Sequence, residues 1–187
     1  MTIATRRDPL LGFNFLISLS DSTAATGGLV TRIALSPLMP APVAGFSECT
    51  GLEMTLETDE WLEGGNNGTV LKFPKRVRNT EVVLRRGITK GTDLFDWFYA
   101  FTQGAGQRKD GLITLLDARH QPHTVWGFRR GLPTKYSGPA LNAAQNAVAI
   151  ESVTITHEGL YQLGGAAALA GAASAVGAAA AAIGELF

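Results

Sequence analysis

Residues 52–73 constrain the fold more than any other stretch. Leu52, Met54 and Leu56 alternate with Glu53, Thr55 and Glu57, the two-residue period of a half-buried strand. Trp61-Leu62-Glu63 then leads into Gly64-Gly65-Asn66-Asn67-Gly68, and residues 69–73 continue as an extended run. Gly and Asn tolerate positive φ, so GGNNG predicts a hairpin turn. A chain carrying such a hairpin is committed to β structure here, because a helical period would scatter the same apolar residues over every side.

Charge follows the same division. Residues 47–63 carry Glu48, Glu53, Glu57, Asp59, Glu60 and Glu63 and no base. Residues 72–90 carry Lys72, Lys75, Arg76, Arg78, Arg85, Arg86 and Lys90 against Glu81 alone. If the two stretches are hairpin arms, opposite charges face each other across the ladder. Alternatively, acidic and basic edges match between copies, head to tail, as a closed ring requires. Both readings hold together. They make Glu57, Asp59, Glu60, Trp61, Lys72, Lys75 and Arg76 the candidate subunit-interface residues.

More strands flank the hairpin. Residues 13–19, FNFLISL, place Phe13, Phe15, Ile17 and Leu19 on one face. Residues 81–86, 112–116, 124–128 and 148–156 are further candidates, with a turn at 117–123 around Pro122. A short strand is also expected at 29–35, inside a Gly-, Ser-, Thr- and Pro-rich loop. One helix is predicted over 92–103. Thr92 is its expected cap, Asp93 and Asp96 lie in its first turn, and Gly104 ends it. Leu94, Phe95, Phe98 and Phe101 are its expected buried face. Roughly seven strands and one aromatic helix predict a mainly β fold, a small barrel or sandwich with the helix on its flank.

The expected domain spans residues 1–163, with the loop insertion at about 20–42. Residues 164–187 form a distinct extension in which twelve of 24 residues are Ala, five are Gly and only Glu185 is charged. Leu169, Val176 and Ile183 recur there every seven residues. A small-residue helix that orders by packing on other copies or a partner is expected, rather than stable membrane insertion, since larger apolar residues are few.

Composition excludes several classes of function. Sixteen Lys+Arg balance sixteen Asp+Glu, which disfavours nucleic acid as a specific ligand and removes repulsion between copies. A single cysteine, Cys49, forms no internal bridge, and a structural thiol is its expected role. Arg6 and Arg7 precede no apolar run of signal length, so assembly in a cytoplasm is expected. His120-x-x-His123 surrounds Pro122 with no cysteine cluster nearby, which reads as turn histidines rather than a metal site. His157 beside Glu158 also reads as structural. GGNNG lacks the Lys-Ser or Lys-Thr of a phosphate loop, no G-x-S-x-G nucleophile elbow occurs, and Asn67-Gly68-Thr69 is a sequon without a secretory context. No catalytic, cofactor or metal residues are assigned. A hydrolase using Asp117, His120 or His123 lacks a nucleophile arrangement.

Several segments occurring in order carry a resemblance. They are G-F-x-E-x-x-G-L-E at 45–53, E-G-G-x-N-G at 63–68, L-x-R-G at 84–87 and A-I-E-S-x-x-x-x-H-E-G-L at 149–160. Together they resemble the tail-tube proteins of contractile bacteriophages and of phage-like extracellular contractile injection systems, over about residues 8–160. The resemblance implies a small β-barrel with a flanking helix and a protruding hairpin, and a homo-hexameric ring that stacks into an inner tube within a contractile sheath. It further implies baseplate and spike partners, cargo in the lumen, no cofactor and no catalysis. The 20–42 loop and the 164–187 extension depart from the family pattern. A tube-initiator ring next to the spike is the alternative role. A β-barrel ligand module, suggested by Trp97, Phe98, Tyr99, Phe101 and Trp126, is a more distant one.

Overall fold

The computed structural model describes residues 9–22, 45–65 and 68–164. The expected 29–35 strand and the extension after 164 lie outside these residues. Nine strands and one helix follow in the order β1 (Phe15–Asp21), β2 (Phe46–Thr50), β3 (Met54–Trp61), β4 (Leu71–Asn79), β5 (Val82–Gly87), α1 (Asp93–Thr102), β6 (Lys109–Leu116), β7 (Pro122–Ser137), β8 (Ile150–Thr156) and β9 (Gly159–Gly164). Among the described residues the fold is mainly β with one helix, as the sequence predicts for them. The chain divides into two compact units, and β7 contributes to both.

One unit contains β1, most of β6 and the first part of β7. β6 lies between β1 and β7, and β9 also pairs with β7. The core here is Ile17, Leu112, Ile113, Leu116 and Val125. Phe15 is half-buried beside Ile17, but Phe13 precedes the strand and is exposed. The expected apolar row therefore starts two residues late. Asn14 is the reason: its carbonyl accepts from Leu116 N at 2.9 Å, and its side-chain amide donates to the Asp117 carbonyl at 3.0 Å. That anchors the chain at Asn14 and leaves Phe13 outside it. Asp117 Oδ1 accepts from the backbone N–H of Arg119 and of Gln121, both at 2.8 Å, closing the β6–β7 turn. The Gln121 N–H bond, foremost, holds the Asp117 carboxyl below its usual value. His120 and His123 are exposed on this turn.

The second unit holds β2, the β3–β4 hairpin, β5, α1, β8 and the second part of β7. β7, β8, β5 and β2 lie side by side in that order. The β5–β8 ladder is antiparallel and pairs Val82 with Ile155, Leu84 with Val153 and Arg86 with Glu151. Side chains of paired residues share a face, and all six are buried. Phe128 completes this core, stacked 5.7 Å from the His157 ring. Within β7 Arg130 takes the left-handed backbone, with φ +50°. Glu158 braces this position, accepting from Arg108 at 2.9 Å and Arg130 at 3.0 Å. The next residue must be glycine, since a Cβ at Gly131 would lie 2.6 Å from Phe128 and 2.9 Å from the Lys109 carbonyl.

The helix buries Leu94 and Trp97, not the expected row of Leu94, Phe95, Phe98 and Phe101. Trp97 Nε1 donates to the Gln107 carbonyl at 2.8 Å, giving the indole a polar partner that a phenyl ring cannot use. Phe98 and Phe101 are half-buried and Phe95 is exposed. Phe95 instead stacks on Tyr99 and meets Tyr136 edge-on. Thr92 does not cap the backbone with its side chain. Its hydroxyl donates to Asp96 Oδ2 at 2.6 Å. Cys49 is half-buried on β2, and burial pushes its thiol up to about 11.

Candidate functional site

The β3–β4 hairpin is the site that the sequence singles out. Its ladder is antiparallel and pairs Met54 with Asn79, Leu56 with Val77, Thr58 with Pro74, Asp59 with Phe73, Glu60 with Lys72 and Trp61 with Leu71. Between Leu56 and Thr58 the register shifts, so β4 carries one residue more than β3 there. Gly65 supplies a positive φ of 88° at the turn. β4 runs to Asn79, further than the expected end at Phe73.

The root of this hairpin is fixed closely. Gly51 has φ +87°, and a Cβ there would lie 1.9 Å from the Glu81 carbonyl oxygen. No other residue type fits that approach. Thr80 N donates to the Glu53 carbonyl at 3.2 Å, and Thr156 Oγ1 donates to Glu81 Oε1 at 2.9 Å. Gly51 belongs to the G-F-x-E-x-x-G-L-E motif, and this contact is what it contributes.

Beyond its root, almost the whole hairpin is exposed. Leu56 and Phe73 are each 53% exposed and Trp61 63%. The half-buried β3 read from the Leu52–Met54–Leu56 alternation is thus corrected: the period is right, but nothing among the described residues covers its apolar side. The charges do pair across the ladder. Asp59 accepts from Lys75 at 3.0 Å, Glu60 lies 3.5 Å from Lys72, and Glu57 pairs with Arg78. The bond to Asp59, foremost, raises the Lys75 pKa. The Asp59–Lys75 and Glu57–Arg78 pairs line a shallow open depression with Leu56, Thr58 and Arg76. Exposed pairs of this kind contribute little stability and weaken in salt.

The candidate residues are therefore brought together: Glu57, Asp59, Glu60 and Trp61 lie on β3, and Lys72, Lys75 and Arg76 on β4. Strand alternation assigns them to faces. Met54, Leu56 and Glu60 share one face with Val77 and Lys72, while Glu57, Asp59 and Trp61 share the other with Phe73 and Leu71.

Sequence reasoning missed a second polar cluster. Arg86 is 2% exposed, and its Nε donates to Glu151 Oε1 at 2.6 Å. Tyr136 donates its hydroxyl to Glu151 Oε2 at 2.7 Å, which, foremost, raises the tyrosine pKa. Arg86 Nη1 lies 3.8 Å from Asp93, and Nη2 is buried without a partner. This cluster ties α1 to the β5–β8 ladder. A signal existed: Val82, Leu84 and Arg86 share one parity, as do Glu151, Val153 and Ile155. No group of three or more His, Cys, Asp or Glu able to hold a metal occurs among the described residues. No helix among them is long and apolar enough to cross a membrane.

The family model of the T4-like virus tail tube protein gp19 matches residues 11–161. The chain belongs to this tail tube family. As a tail tube family member it is a structural component of a phage tail or contractile particle, and the family is not enzymatic. Solved structures share the fold of this tail tube protein. A chain of the anti-feeding prophage baseplate superposes with a TM-score of 0.70 at 24% identity, over 85% of this chain and 98% of that one. A chain of the PVC sheath–tube complex, an extracellular contractile injection system, gives 0.66 at 22% identity, over 83% and 92%. An Hcp protein gives 0.52 at 14%, over 82% and 93%. No curated protein sequence matches the chain.

Proposed function

We propose that this chain forms hexameric rings that stack into the inner tube of a contractile particle, and that the β3–β4 hairpin docks on a neighbouring copy. The tube lies within a sheath, starts at a baseplate with its spike, and conducts cargo when the sheath contracts. The exposed hairpin carries this reading. A ribbon with apolar side chains on both faces and no cover among the described residues is open to a partner surface. Membership of the tail tube family and the fold shared with chains of baseplate and sheath–tube complexes support it. The chain's neutrality favours close repetition of copies. The extension after residue 163 is proposed to pack on other copies, so truncation there should leave the fold intact and alter assembly.

Negative-stain images of the purified full chain test the proposal. Six-fold rings or tubes are the expected outcome, together with their loss when residues 64–68 are deleted. A monomer that persists at high concentration overturns the ring reading. Normal tubes from the deletion variant overturn the docking role of the hairpin.

A further inference from the structure

We infer that the extension of one copy, residues 165–184, packs on the apolar surface that the β7–β8 loop presents on another copy. This inference rests on the reading above that the extension packs on other copies, and it names the surface.

The first observation is that the loop is long and built. β7 and β8 are antiparallel neighbours, paired up to Ser137 and Ser152, and two residues suffice to join such strands. Twelve residues, 138–149, stand between them instead. Their backbone is held by bonds of their own. Ala144 N donates to Asn142 Oδ1 at 3.0 Å, Gln145 N to the Asn142 carbonyl at 3.2 Å, and Ala147 N to the Gln145 carbonyl at 3.1 Å. Ile88 N donates to the Ala149 carbonyl at 2.9 Å, which fastens the loop beside the end of β5. A connection of this length between adjacent strands is generally a functional surface.

The second observation is what the loop shows to solvent. Leu141 is 85% exposed and Val148 78%. Val148 Cγ1 lies 3.6 Å from where a Cβ of Gly87 would stand, and Gly87 pairs with Ile150. Val148 and Ile150 therefore adjoin over a position without a side chain, and Ile150 and Ile88 are exposed as well. Residues 136–150 contain no charge, the longest uncharged run lying wholly within the described residues. A charged segment laid here would lose hydration and gain no partner, so the surface selects an uncharged, apolar one.

The third observation identifies that segment. Residues 165–187 follow the end of β9 and lie outside the described residues. The longest uncharged run of the whole chain, 159–184, extends through nearly all of them. They are chiefly Ala and Gly, and Leu169, Val176 and Ile183 recur every seven residues. In the helix expected from the sequence those three share one side, spread over about 21 Å. The small residues between them leave hollows that receive protruding side chains such as Leu141 and Val148, since large and small alternate across a packed interface. Each copy carries both surfaces, so the contact repeats head to tail from copy to copy.

The test uses the full chain. Photo-crosslinkers are placed singly at Leu141 and at Val148, and these copies are assembled with an excess of isotope-labelled wild type. Labelled peptides from residues 165–187 are the expected products at both positions. Unlabelled extension peptides alone place the contact within one chain and overturn the inference, as do products from any other segment. The concentration at which pelletable assemblies form is then read for truncation after Gly164, for Leu141→Ser with Val148→Ser, and for the two combined. Each change alone should raise it about tenfold. The combination should raise it no further, because both remove the same contact. Effects that multiply overturn the inference. A truncated chain that assembles like wild type overturns the packing role of the extension altogether. Truncation that hinders assembly while the serine variant does not overturns only the loop as its site. A wild-type chain that stays monomeric overturns both.

Discussion

The β3–β4 hairpin and the β5–β8 ladder lie in the same unit and are built by the same local rules. Both are antiparallel, both alternate, and both pair acid with base across the strands. In β5–β8 the inward row is fully buried, and its one ion pair, Arg86 with Glu151, is buried with it. In the hairpin the corresponding rows remain exposed, and three ion pairs stand in solvent. Alternation thus specifies a strand but not what covers it. A buried charge pair is part of the fold, because removing one partner strands the other away from water. A solvated pair can lose a partner to water at little cost.

Variants of the two regions should separate cleanly on that basis. The largest effect is expected for Glu151→Leu, which leaves the Arg86 guanidinium buried and frees the Tyr136 hydroxyl. A loss of about 3–5 kcal/mol in chemical denaturation is expected. A loss near that of a surface substitution would erase the contrast. Phe98→Ala comes next. A fully buried ring would cost about 3–5 kcal/mol, but Phe98 is half-buried against Tyr136, so about 1–2 kcal/mol is expected.

The third effect depends on pH. Burial, foremost, holds the His157 imidazole below its usual value, and neighbouring backbone of Thr80 and Gly159 opposes this. The unfolded chain therefore takes up the proton first, below about pH 6.5. The contribution of neutral His157 is complete above that value and declines as the pH falls through it. Melting temperatures of wild type and His157→Phe, compared from neutral to acid, should diverge in favour of the variant. Parallel curves would remove His157 from the account. The smallest effect is expected for Glu60→Gln on the hairpin, with a melting temperature indistinguishable from wild type. A clear drop there would make the hairpin part of the monomer's fold and end the comparison.

Much of this was legible in the sequence. The hairpin, its turn and its cross-strand charges follow from GGNNG and from two oppositely charged stretches of chain. The helix limits follow from Asp93 and Gly104. The helix's buried face did not, because Trp97 outcompetes the neighbouring phenyl rings only when the Gln107 carbonyl is in reach, a contact that helical spacing does not encode. β2 and β9 were not foreseen either, since FSECT and GLYQLG show little alternation. β7 was read as five residues and has sixteen, because Gly131 and Pro133 look like strand ends. In the structure they continue the strand just past Arg130, whose positive φ Glu158 braces. The exposure of the hairpin could not be read from its alternation, because a period of two is the same whether the covering surface is in the same chain or another; only the family resemblance implied that it protrudes.

The contact between Gly51 and the Glu81 carbonyl has a mechanical consequence. A projecting ribbon on a loose joint would swivel, and load on its tip would be absorbed by the joint. Here the backbone closes against itself at the root, with Thr80 bonded to Glu53 and Thr156 to Glu81. The ribbon is a cantilever set directly into the β5–β8 wall. A push on its tip would reach that wall through these backbone contacts rather than through a flexible linker.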